Sequence, residues 1–136
     1  MIMKILGIDY GRKKIGLAVG VGSLAEPMRV IRYSDMNSPK GRKILEQEIK
    51  QIVEKENIEK VVVGISEGEM AEETKKFVST IQPFIQSTIE LYDETLTSQD
   101  AQRLSIEAGI SRKKRKGMED AYAASIMLQN FLDLTQ

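Results

Sequence analysis

The sequence predicts an α/β domain: a five-stranded mixed sheet, its first three strands antiparallel, with helices on both faces. Two observations carry this. Three strand-like runs follow one another at the N-terminus, separated only by turns, as in a hairpin meander. After Ser38-Pro39 the pattern changes to alternating helices and strands. The length, 136 residues, suits one domain over 1–136, large enough to fold without staples.

The elements follow in order. MKILGIDYG, residues 3–11, is apolar on both faces and reads as a central strand. DYGRKK makes a tight turn, with Gly11 expected to supply backbone freedom. KIGLAVGVG returns as the second strand, and EPMRVIRYS is a short third one. Pro39 is suited to a helix's first turn. In the helix that follows, Ile44, Leu45, Ile49, Ile52 and Val53 share a face. KVVVGIS is a buried strand. EMAEETKKFVSTIQ has helical spacing through Met70, Phe77, Val78 and Ile81, and Pro83 ends it. STIELYDE is the fifth strand. TSQDAQRLSIEAG reads as a short helix, with a capping box from Thr97 to Asp100 and Gly109 as its C-terminal cap. SRKKRKG is a basic loop, and GMEDAYAASIMLQNFLDL closes the chain as a helix. No internal repeat, linker or low-complexity segment interrupts the order.

Composition narrows the chemistry. Twenty basic and twenty acidic residues cancel, so only local clustering can favour a polyanion. With no cysteine there is no disulfide framework, thiolate nucleophile or thiolate metal site. With no histidine, the commonest general base and zinc ligand is missing. Carboxylates, hydroxyls, Lys and Arg must do any catalysis. No segment is long and apolar enough to span a membrane, and the N-terminus lacks a signal-peptide layout; a cytoplasmic protein is expected.

Three acidic positions stand where propensity prefers something else. Asp9 ends an apolar strand, Asp93-Glu94 ends TIELYDE, and Asp120 lies near the start of the last helix. Burying an unpaired carboxylate is costly. Ala123 and Ala124, three and four positions after Asp120, are small enough to let that turn approach the sheet. Strand-end carboxylates plus one from a packed helix would form an oxygen-only cluster. A hard cation such as Mg²⁺ or Mn²⁺ neutralises such a cluster and supports phosphodiester cleavage without histidine or cysteine. Arg12, Lys13 and Lys14, and the run Arg112 to Lys116, could hold phosphates. Each position also has a structural reading. Asp9 suits a turn, Asp93 and Glu94 a solvated strand end, Asp120 the helix dipole, and RKKRK a solvated loop.

IDYGRKKIGLAV, AEPMRVI, VVVG, DETLTSQDAQRL and KKRKGMEDAYAASIMLQNFL together resemble the YqgF/RuvX family. This bacterial group lies in the RNase H-like superfamily and is related to the RuvC resolvases. The resemblance covers almost the whole chain, and its first and last blocks are the specific ones. It implies an RNase H-like fold and a divalent-metal nuclease. Carried over by position, it implies Asp9, Glu94 and Asp120 as catalytic carboxylates and metal ligands. Two departures stand out. Thr95 replaces an arginine of the family pattern, and Ser66-Glu67 replaces a proline and an apolar residue. The extra acids of the SEGEMAEE loop, Glu67 and Glu69, should repel a nucleic-acid backbone. Glu67 is also a contender as a metal ligand, because related resolvases place a Glu at the end of the fourth strand.

The leading expectation is therefore a Mg²⁺- or Mn²⁺-dependent endonuclease on structured RNA, maturing the 5′ end of the 16S ribosomal RNA precursor. Arg12, Lys13, Arg112, Lys113 and Arg115 would position phosphates, and Asp93 would lie behind the ligands or face solvent. One alternative is resolution of four-way DNA junctions by a two-fold dimer; monomer and homodimer both stay open. Another is a non-cleaving nucleic-acid-binding factor in ribosome assembly or transcription. A nucleotide-binding actin-like or sugar-kinase fold needs two such domains, and the length supplies one.

Overall fold

The computed structural model describes residues 3–33, 37–66, 68–93 and 117–135. The strands are β1 (Lys4–Asp9), β2 (Lys14–Val21), β3 (Leu24–Arg32), β4 (Lys60–Ile65) and β5 (Thr88–Asp93). The helices are α1 (Pro39–Lys55), α2 (Glu69–Ile81) and α3 (Glu119–Thr135), with a 3₁₀ turn over Gln82–Phe84. The expected helix from Thr97 to Gly109 and the basic loop after it lie outside the described residues.

The sheet runs β3-β2-β1-β4-β5. β1 pairs antiparallel with β2, and β2 with β3, while β1–β4 and β4–β5 are parallel. This is the mixed sheet the pattern predicts, with β1 at its centre. Side chains alternate between the two faces. Leu6 and Ile8 of β1 point into one core with Leu45, Ile49, Phe77 and Ile81 from α1 and α2. Ile5 points the other way, into a core shared with Ala124, Met127, Leu128 and Leu132 of α3.

Helix α1 begins where Ser38 caps it, the hydroxyl accepting from the Gly41 amide at 3.3 Å, with Pro39 in the first turn. Its buried stripe is Gly41, Leu45, Ile49, Ile52 and Val53. Ile44 does not belong to that stripe: it is 38% exposed, since Gly41 takes the inward position one turn earlier. At the other end Asn57 adopts a left-handed conformation with φ 54°, and the Ile58 amide bonds back to the Val53 carbonyl at 3.0 Å. In α2, Phe77 and Ile81 are buried as expected, but Thr74 takes the third inward place and Met70 and Val78 only flank the core. Thr74 satisfies its hydroxyl by donating to the Met70 carbonyl at 2.7 Å. Pro83 ends α2, and the chain passes into the 3₁₀ turn.

Three expectations need correcting. β3 starts earlier than EPMRVIRYS, at Leu24, and contains Pro27. An edge strand tolerates Pro, and a register irregularity opposite Leu17/Ala18 adjoins it. Gly11 has no positive φ; it is required because a Cβ there would stand 2.4 Å from the Lys14 carbonyl oxygen. Finally, Ala123 is half-buried, and the small residues pressed against the sheet are Ala121 and Ala124, both fully buried.

The close approach of α3 is completed by glycines on the sheet. A Cβ on Gly7 would meet Leu128 at 3.0 Å, and one on Gly20 would meet Leu128 and Leu132 at 3.2 Å. At Gly16 a Cβ would lie 1.9 Å from the Asp120 carbonyl oxygen and 2.9 Å from the Ala121 nitrogen. The obstruction there is backbone, which a rotamer change cannot relieve. Gly16→Ala should therefore lower stability by about 3 kcal/mol or more, the upper range for overpacking, in urea denaturation of the metal-free protein. Stability within about 0.5 kcal/mol of the parent would show that α3 is not seated on Gly16.

Candidate active site

Asp9 is the last residue of β1. Its Cα partner on β2 is Gly16, and on β4 it is Gly64. Residues directly opposite share a face, so the Asp9 carboxylate stands between two positions that carry no side chain. The alternation that sends Ile5 towards α3 sends Asp9 there too. The backbone of Asp120 covers Gly16 on this same face. Asp9, at a strand end, and the Asp120 turn, at the start of a helix, thus share one end and one face of the sheet.

Local sequence explains both placements. The apolar run of β1 ends at Asp9 because the chain must turn, and the Tyr33 hydroxyl fastens that turn by donating to the Gly11 carbonyl. Tyr10, buried on the opposite face, stacks on Phe77 with ring centroids 5.0 Å apart, which fixes the strand end against α2. Asp120 sits with Glu119 in the first turn of α3, where the helix dipole favours negative charge. The Glu119 carboxylate accepts from the Gly117 amide at 2.9 Å, and Gly117 itself takes a positive φ of 83° leading into the helix.

Cations gather beside these acids. Lys14, the first residue of β2, places its Nζ 3.3 Å from Asp120 Oδ2. Arg32 is Lys14's partner across β2 and β3. It is exposed, and its guanidinium reaches the Gly117 turn, 3.9 Å from where a Cβ would stand. Arg12 behaves differently. Its Nε donates to Glu73 at 2.8 Å and 3.1 Å, and Glu69 lies 4.0 Å away. The hydrogen bond and charge of Glu73 raise the Arg12 guanidinium above its ordinary value, so it stays a cation while tying the β1–β2 turn to α2. Lys13 is exposed and forms no ion pair among the described residues.

The remaining expected positions divide in two. Asp93 ends β5 opposite Ile65. It alternates in phase with Ile89, which packs on the α1/α2 core, so it faces away from Asp9. Glu94, Glu67, Thr95, Arg112, Lys113 and Arg115 lie outside the described residues. Among the described residues no group of three or more His, Cys, Asp or Glu gathers as a metal site. Two carboxylates remain, and oxygen donors alone suit a hard cation. Mg²⁺ is commonly held by one or two carboxylates, with water and substrate phosphate completing its shell. The residues present fit such an ion.

Sequence reasoning missed the glycines. Gly16 and Gly64 flank Asp9 without side chains, and Gly16 admits the Asp120 backbone; a Gly inside each of two strand patterns marks such a close approach. Arg12, Lys13 and Lys14 look equivalent in sequence, and among the described residues Lys14 is the one that pairs with Asp120.

Comparison with known proteins agrees with this architecture. Residues 3–134 match the family described as RuvX, Holliday junction resolvase. A candidate pre-16S rRNA nuclease of Halothermothrix orenii is 37% identical, over 96% of this chain and 95% of that protein. One of Listeria innocua, described in the same words, is 35% identical over 98% of this chain and 99% of its own length. Among solved structures, RuvC of T. thermophilus bound to a Holliday junction substrate superposes with a TM-score of 0.66 at 16% identity, covering 98% of this chain and 96% of that one. The fowlpox virus Holliday junction resolvase gives 0.62 at 10% identity, covering 98% of this chain and 100% of that one. At such identities the structures establish the shared fold, that of the RNase H-like resolvases. The family match and the curated relatives, each spanning nearly the whole chain, establish that it belongs to the RuvX family of nucleases.

Proposed function

We propose that this chain is a divalent-metal-dependent endonuclease that cuts a structured RNA, the precursor of 16S ribosomal RNA, near its 5′ end. It would act in the cytoplasm, as one domain over residues 1–136. The observation that carries the reading is the meeting of Asp9 and the Asp120 turn over Gly16, with cations at its rim. The RNA substrate is supported by the names of the curated relatives.

In this reading Asp9 and Asp120 hold the metal, with Glu94 as the third ligand and Glu67 as the other contender. Mg²⁺ or Mn²⁺ supplies activation of water and stabilisation of the leaving oxygen. The chain's own groups do the rest. Gly16, with no side chain, admits the Asp120 turn beside the end of β1. Arg32 and Lys13 hold the backbone on either side, joined by Arg112, Lys113 and Arg115. Lys14 pairs with Asp120 and would be the counter-ion that a metal held by Asp9 and Asp120 displaces.

A second reading, cleavage of four-way DNA junctions, is favoured by the family's own description. It requires a two-fold dimer, because both strands of a symmetric junction are cut. Sedimentation at micromolar concentration separates the two: a monomer that cuts the RNA precursor excludes it.

Cleavage of a precursor RNA carrying the 5′ flank should require Mg²⁺ or Mn²⁺ and stop with EDTA. Asp9→Asn and Asp120→Asn should each lower the rate about 100-fold or more, as loss of a metal ligand does, while circular dichroism stays unchanged. RNA that binds but is never cut by folded parent protein with either metal would sink the nuclease reading and leave a binding factor.

Lys14→Met tests the counter-ion. The side chains of Lys14 and Asp120 are 46% and 31% exposed, so losing the pair should change stability by no more than about 1 kcal/mol. Metal affinity, read by calorimetry without nucleic acid, should rise because a competing cation is gone. Unchanged or weaker affinity would show that Lys14 does not compete for the site.

A further inference from the structure

The β1–β2 turn borders a second feature that the candidate active site does not use. An open cleft of about 820 Å³ lies between this turn, the start of α1 and the outer side of α2. Five cationic side chains line it: Arg12, Lys13, Arg42, Lys75 and Lys76. Two carboxylates, Glu72 and Glu73, stand against them, an excess of three positive charges in a chain whose formal charge is zero. Both acids are engaged, Glu73 with Arg12 at 2.8 Å and Glu72 with Lys75 at 3.7 Å. Lys13, Arg42 and Lys76 are exposed, and none forms an ion pair among the described residues. The start of α1 adds to the anomaly. Its first turn contains no acid, and Lys40, Arg42 and Lys43 crowd a helix end that ordinarily prefers negative charge.

From this we infer that the cleft is a second binding site for nucleic-acid phosphates. It would hold a stretch of the substrate's backbone beyond the cut, on the α1/α2 face of the sheet. The turn supplies continuity. Lys13 lines the cleft and follows Asp9 by four residues, which keeps their Cα atoms within about 14 Å. A strand leaving Asp9 on the α3 face would pass Lys13 and enter the cleft around the end of the sheet. Glu73 holds Arg12 in the wall, while Lys13, Arg42 and Lys76 meet phosphates. The cleft's role in cleavage rests on the nuclease reading; its capacity to bind RNA does not.

The test uses the full chain in EDTA, where binding is measured without cutting. A fluorescent precursor RNA is titrated at several salt concentrations with the parent, with the double variant Arg42→Gln/Lys76→Gln, and with Lys50→Glu, which changes the net charge by the same two units. Lys50 is an exposed lysine on the same helix, lining a separate groove near its other end, and controls for charge alone. The double variant should bind about 10-fold or more weakly, with a salt slope smaller by about two. Lys50→Glu should match the parent in affinity, slope and metal-dependent cleavage. Equal losses in Lys50→Glu and the double variant would overturn the site, because net charge would then be the cause. Full affinity of the double variant, when thermal melting shows it folded, would overturn it as well. So would a mononucleotide that competes only at this cleft while RNA affinity stays intact, which marks a small-anion pocket. If the double variant loses RNA but the parent never cuts, the nuclease reading fails and the cleft stands. If the parent cuts and the double variant binds normally, the reverse holds.

Discussion

One backbone-to-backbone contact sets where the last helix sits on the sheet: the Asp120 carbonyl occupies the space that a side chain on Gly16 would fill. Ordinary helix–sheet packing keeps a larger distance, because side chains stand between the two backbones. Here Gly7, Gly16 and Gly20 remove them from the sheet, and Ala121 and Ala124 remove them from the helix. Such an approach brings few apolar atoms of its own. It is secured further along α3 by Leu128, Leu132 and Met127, fully or almost fully buried, each contributing about 2 kcal/mol. The apolar half of the helix thus supplies the energy, and the N-terminal turn delivers a carboxylate beside the end of β1.

This division has an electrostatic consequence. Two acids at one end of a sheet raise each other's energy unless a cation intervenes. Lys14 supplies one at Asp120, at 3.3 Å, and the α3 N-terminus supplies a partial one. Both are weak enough to yield: the lysine is half exposed and flexible, and the dipole is distributed. The metal-free protein is therefore neutralised without being locked. A buried arginine with a bidentate grip on Asp120 would have held that carboxylate more firmly and left it less able to take another partner.

Much of this was legible in the sequence, for identifiable reasons. The strands and helices show in the apolar run that forms β1 and the spacing of Leu45, Ile49, Ile52 and Val53, where burial enforces the pattern. Asp9 and Asp120 stood out because each contradicts its surroundings. What could not be read was which of several equivalent residues turns inward. Ile44 and Gly41 lie one turn apart, and the smaller one is inside. Ala123 and Ala121 are both small, and only the helix's angle over Gly16 chooses between them. Arg12, Lys13 and Lys14 look alike in sequence, yet one pairs with Glu73, one is free of ion pairs among the described residues, and one pairs with Asp120. Periodicity assigns a residue to an element; a partner distant in sequence assigns its role.

The zero net charge illustrates the same limit. It is a sum over surfaces pointing in different directions, and no substrate experiences the sum. Along α2 the acids Glu69 and Glu73 face Arg12, while Lys76, one turn beyond Glu72, opens onto the cleft. Screening at physiological salt cuts interactions between exposed charges beyond about 8 Å. An excess of three positive charges in one cleft is therefore felt there and scarcely elsewhere. Glu69, which in the sequence seemed to repel a polyanion, lies with Glu73 beside Arg12, and Glu72 pairs with Lys75. In this arrangement like and unlike charges on one helix do not cancel: Glu73 fixes Arg12, and Lys76 is left with no ion pair among the described residues.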